Sequence, residues 1–121
     1  MRVLVCGGRD FGERSKAPLG SFQFIEDSRR IVAQRELLDR VLSEQCPTGH
    51  EIIIHGAARG ADRQVDMWAR KRRQKVMSFP ADWYPNGRSA GMDRSAGPQR
   101  NQRMIDEGKP DLVVAFPGGK G

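Results

Sequence analysis

At 121 residues the chain holds one domain's worth of sequence, enough for a single modest core and not for two. Lysine and arginine number 21 against 15 aspartates and glutamates, a net charge of +6 that favours anionic partners such as nucleotides, nucleic acid or acidic proteins. The two cysteines, Cys6 and Cys46, fit neither a disulfide framework nor zinc-ligand spacing, and no stretch reaches the length of a membrane span, so a soluble cytoplasmic domain with no metal and no cofactor is expected.

In chain order, "RVLVC" (2–6) is a short apolar run closed by Gly7 and Gly8, and predicts a strand. Residues 12–28 break the pattern and read as an extended loop or excursion. "RRIVAQRELLDRVLSEQ" (29–45) then sets Ile31, Val32, Leu37, Leu38, Val41 and Leu42 on one side of a helix. "EIIIH" (51–55) predicts a second strand. "GADRQVDMWARKRRQ" (60–74) predicts a second helix with Ala61, Val65, Trp68 and Ala69 on its apolar stripe. "KVMSFP" (75–80) is a third strand, 86–97 a loop, "GPQRNQRMIDEG" (97–108) a third helix and "DLVVAF" (111–116) a fourth strand. This alternation predicts one α/β domain over 1–121, a mostly parallel sheet covered by helices.

In a parallel sheet the loops that follow the strands gather at one edge, where ligands of open α/β sheets bind. Those loops are "GGRDF" (7–11), "HGAARGAD" (55–62), "ADWYPNG" (81–87) and "PGGKG" (117–121). Glycines at Gly7, Gly8, Gly56, Gly60, Gly118, Gly119 and Gly121 let the backbone approach a phosphate, and amides there can donate to it. Arg9 and Arg59 are guanidinium forks suited to phosphate, and Asp10 and Asp62 can accept from sugar hydroxyls. Asp62 can equally serve the first turn of its own helix. Trp83 and Tyr84 offer either a stacking face for a base or ordinary packing. The run "RKRRQK" (70–75) is either a footprint for nucleic acid or a solvated helix end. His55 reads as a hydrogen-bonded structural residue.

Together, "VLVCGGRDF", "IIHGAARGAD", "GPQRNQRM" and "PDLVVAFPGGKG" resemble the YspA-like branch of the SLOG superfamily, whose name joins the Smf/DprA and Lonely Guy proteins. The resemblance covers the chain apart from 12–28 and the 86–96 loop. It implies a Rossmann-like three-layer α/β/α domain, with about four to five strands, that binds a nucleotide or nucleotide-derived ligand as a sensor or binding module. Lonely Guy relatives instead cleave the N-glycosidic bond of nucleoside 5′-monophosphates, and their signature pairs an arginine four residues before a methionine with a "PGGxGT" loop. Arg100 with Met104 matches the first half, which makes Arg100 the candidate catalytic residue, and Gly118, Gly119 and Gly121 match the second. The threonine and glutamate that follow have no counterpart before Gly121, so the chain is read as naturally short there or as shortened. DprA relatives imply a third class, a single-stranded DNA module. Relatives also dimerise, which gives Met104 and Ile105 two readings, interface or core.

Overall fold

A computed structural model describes residues 1–14 and 18–117. Four strands and three helices follow one another as β1 (Arg2–Gly7), α1 (Phe22–Gln45), β2 (Ile52–His55), α2 (Ala61–Lys71), β3 (Lys75–Ser78), α3 (Ala96–Asp106) and β4 (Leu112–Phe116), with a short 3-10 turn at Arg88–Ala90. All strand pairs are parallel, in the order β3-β2-β1-β4. This is the expected Rossmann-like α/β fold.

Side-chain alternation along the strands divides the core into two layers. Val3, Val5 and Ile53 face α1 and α2, packing with Leu38, Leu42, Val65 and Trp68. Leu4 and Ile54 point the other way, toward Phe79 and Met104 of α3. Met104 is therefore a core residue. Ile105, its neighbour, is exposed.

The first helix departs from expectation. It starts at Phe22 rather than near residue 29, and Ser21 caps it by accepting the Phe24 amide on its hydroxyl at 3.1 Å. Its first two turns carry no apolar stripe, since Phe22 and Ile25 are exposed and the residue buried there is Asp27. Hydrophobic periodicity begins only at Ile31, so the pattern starts where core contact starts. Val32, expected on the buried side, is also exposed.

Polar bonds hold this part of α1 and lock the loop after β1. Gln34 Oε1 accepts the Gly12 amide at 2.7 Å, while the Arg30 guanidinium reaches the Asp10 carbonyl, the Glu13 carbonyl and the Asp27 carboxylate. Phe11, fully buried, anchors the loop by packing on Phe116 with ring centroids 5.2 Å apart.

Candidate functional site

From β1 the chain moves outward through β2 to β3, then returns across β1 to place β4 on its other side. The strand order therefore reverses between β1 and β4. A crevice opens at the carboxyl ends of strands at such a point. Here it is a cavity of about 390 Å³ lined by Cys6, Gly7, Gly8 and Arg9 on one side and Phe116 and Pro117 on the other. A second cavity of about 800 Å³ adjoins it beyond β2 and β3, walled by Trp83 and Tyr84. Arg9, Ala58, Asp62 and Arg100 line both.

Three of the four predicted loops thus converge, and Gly7, Gly8, Arg9, Gly56, Arg59, Asp62 and Arg100 each line one or both cavities, while Gly60 lines neither. Asp10 lines neither; its carbonyl is held by Arg30. Gly118, Gly119 and Gly121 lie outside the described residues.

The glycine-rich loop at 55–60 is not the amide cradle expected of it. Four of its amides are already taken. The Gly56 and Ala58 amides donate to Asp62 Oδ2 at 3.1 and 3.2 Å, the Ala57 amide to His55 Nδ1 at 2.9 Å, and the Gly60 amide to Glu13 Oε1 at 3.0 Å. The next amide, Ala61, donates to the Gly8 carbonyl at 3.1 Å, which sets the loop after β1 against the start of α2.

Glycine is needed in this loop for close approach instead. The Arg100 guanidinium bonds the Gly56 carbonyl, and a Cβ on Gly56 would lie 2.5 Å from Arg100 Nη1. Gly60 has φ +78°, and a Cβ there would lie 2.1 Å from the Gly8 carbonyl oxygen. At Gly60 a side chain is excluded because two backbones touch, whereas at Gly56 it would displace the Arg100 guanidinium.

His55 is saturated, as the sequence suggested. With Nδ1 accepting from Ala57, the ring proton sits on Nε2 and is donated to Asp66 Oδ1 at 2.9 Å. Asp66 also accepts from Arg70 Nε at 2.6 Å. Partial burial raises the Asp66 carboxyl, but the bonds from Arg70 and His55 outweigh it and hold the group below its ordinary 3.8. A carboxyl depressed in the folded state contributes stability above its unfolded pKa and loses it as pH falls through the folded value. Asp66→Asn is therefore expected to be less stable than the parent at pH 7, with the gap closing below about pH 4. Urea melts at both pH values check this; an equal gap at both would remove the ion pair from the account.

Asp62 is 8% exposed, and burial raises its carboxyl, opposed by the Ala58 and Gly56 amides and by the nearby His55 ring and Arg100 guanidinium. Only Oδ2 is used internally. No buried side-chain oxygen or nitrogen among the described residues lacks a partner, so Oδ1 opens onto the cavities.

The cations divide into committed and free. Arg63 pairs with Glu13 at 3.2 Å, Arg70 with Asp66, and Arg100 is tied to Gly56 and to Asn101. Among the described residues Arg9 and Arg59 have no acidic partner. Arg9 lies only over the Trp83 ring, 6.0 Å from its centroid.

Arg63, Asp66 and Arg70 also line the larger cavity; the sequence did not single out Arg63 or Asp66, and read Arg70 only as part of the basic run. With Asp62 they form a polar face of α2, away from Val65 and Trp68, and Arg59 lies in the loop just before the helix. That second, polar periodicity was the available signal. The basic run is partly spent locally, since Arg72 stacks over Trp68 at 4.6 Å and bonds Asp39 at 2.7 Å.

The model of the YspA, cpYpsA-related SLOG family matches residues 1–84, from β1 through the aromatic wall of the larger cavity. This chain belongs to that family. A curated relative, the Gene 61 protein of Mycobacterium phage D29, is 36% identical over 74 residues, which cover 57% of this chain and 54% of the phage protein. The matched region thus spans about half the length of that relative. No solved structure gives a significant match. Among the described residues, no helix of this SLOG-family chain is long and apolar enough to cross a membrane.

Proposed function

We propose that this SLOG-family domain binds a nucleotide or nucleotide-derived ligand, as a sensor or binding module, at the carboxyl edge of its sheet. Support comes first from Arg9 and Arg59, two cations without acidic partners among the described residues, at paired cavities beside the strand reversal. In this reading guanidinium groups, rather than the amides of 56–60, take the phosphate. Gly118, Gly119 and Gly121, outside the described residues, are proposed to add main-chain donors. Trp83 and Tyr84 are proposed to take the base, and Gly97 lets α3 back the Trp83 ring, since a Cβ there would lie 3.0 Å from it. Titration calorimetry with adenine and guanine mono- and diphosphates, ADP-ribose and NAD tests the reading. Binding by one series with affinity that falls as salt rises supports it. No heat from any of them counts against it.

The free oxygen of Asp62, close enough to Arg100 for their charges to interact, favours a second reading. In hydrolysis of a nucleoside 5′-monophosphate, water attacks C1′ and the C1′–N bond electrons leave with the base, which takes up a proton. A carboxylate near C1′ would stabilise the oxocarbenium-like state. Chromatography of AMP incubated with the protein separates the readings. The binding reading expects no free adenine; release that collapses in Arg100→Ala selects hydrolysis.

A further inference from the structure

We propose that Asp62 makes the site selective for ribonucleotides over deoxyribonucleotides, by taking a hydroxyl of the ribose cis-diol on its free oxygen. This rests on the nucleotide-binding reading above.

The carboxylate is more than nine-tenths buried, yet half of its accepting capacity is unused within the protein. Oδ2 fixes the group by holding the Gly56 and Ala58 amides, so Oδ1 is presented to the cavities in one orientation. A structural clamp on that loop needs Oδ2 alone. An ionised carboxylate only accepts, so it repels phosphate and rewards a donor. The ligand must therefore carry its phosphate on Arg9 and Arg59 and a hydroxyl or N–H donor at Asp62. Asp62 lines both cavities, and the larger bears the aromatic wall. In a nucleotide, the group that adjoins both phosphate and base and also carries donors is the sugar. A ligand lacking the hydroxyl leaves a desolvated carboxylate oxygen unpaired, and this is what makes the discrimination steep.

The experiment titrates the full chain with four ribonucleoside 5′-diphosphates and with their 2′-deoxy and 3′-deoxy counterparts, in the calorimeter. At least one deoxy series is expected to bind about tenfold more weakly or worse, as for loss of a hydrogen bond to a charged group. Asp62→Asn keeps a carbonyl oxygen for the Gly56 and Ala58 amides and turns an NH2 toward the cavities. It is expected to bring the ribo and deoxy series to one affinity, removing the discrimination. A merely structural Asp62 would lower all three series together, which overturns the proposal. Equal affinity for ribo and both deoxy series in the parent also overturns it, with nucleotide binding left standing. So does affinity that follows the amino group of the base and ignores the sugar. No binding in any series removes the nucleotide reading and this inference with it. Should the variant fail to fold, the parent's ribo-to-deoxy ratio decides alone.

Discussion

Gly60→Ala is expected to lower the melting temperature by roughly 6–36 °C, taking about 3–6 °C per kcal/mol for a domain of this size. Two independent costs meet at this position. The backbone sits at φ +78°, ψ −128°, a region reserved for glycine, and forcing an alanine there costs about 1–3 kcal/mol. The new Cβ would also lie 2.1 Å from the Gly8 carbonyl oxygen and 2.4 Å from the Arg9 carbonyl carbon. Those atoms are backbone and cannot rotate aside, so the loop must shift, at a further cost of about 1–3 kcal/mol. Moving it also breaks the Ala61 amide to Gly8 carbonyl bond. Gly20→Ala is the control, because Gly20 has a similar φ of +81° but nothing within 4 Å of a built Cβ. It carries the backbone cost alone, about 1 kcal/mol. If the two variants melt within a few degrees of each other, the close approach of the β1 loop to α2 is not what Gly60 serves. Circular dichroism melts decide.

The elements that were legible in the sequence are those whose burial leaves a periodic trace. Ile53, Ile54, Val65 and Trp68 all declared themselves because each faces one side of a layered core. The start of α1 did not, because the helix there is held by Ser21, Asp27, Arg30 and Gln34 through polar bonds that follow no hydrophobic period. At the candidate site, Gly56 and Gly60 serve a different purpose from the one read in them. Gly56 and Gly60 were read as freeing amides for an anion, whereas their amides donate to Asp62 and Glu13 and the missing side chains make room for Arg100 and for the Gly8–Arg9 backbone. A glycine says that something comes close without saying what. Spacing alone also could not separate Arg9 and Arg59 from Arg63 and Arg70, because partnership depends on which acids the fold brings near: Glu13 from the β1 loop, and Asp66 one turn before Arg70.

That distinction among the arginines carries the largest functional prediction. Replacing Arg9 or Arg59 by alanine is expected to weaken nucleotide binding about 10- to 100-fold each, as for loss of a charge-assisted bond to phosphate of about 1.5–3 kcal/mol. The double variant is expected to lose more than about 100-fold, falling short of the product of the singles if both forks grip one phosphate. Neither guanidinium ties the fold together, so melting temperatures should stay near the parent's. Arg63→Ala is the matched comparison: its charge is in the same cavity but already answered by Glu13, so removing it changes the local field by less and leaves the acid behind. Arg59→Lys refines the test, because lysine keeps the charge and loses the planar fork. Intermediate affinity in that variant means the bidentate geometry contributes beyond charge. Should the Arg9/Arg59 double variant bind like the parent while remaining folded, the phosphate is not held by side chains, and the main-chain donors after Pro117 become the group to test next.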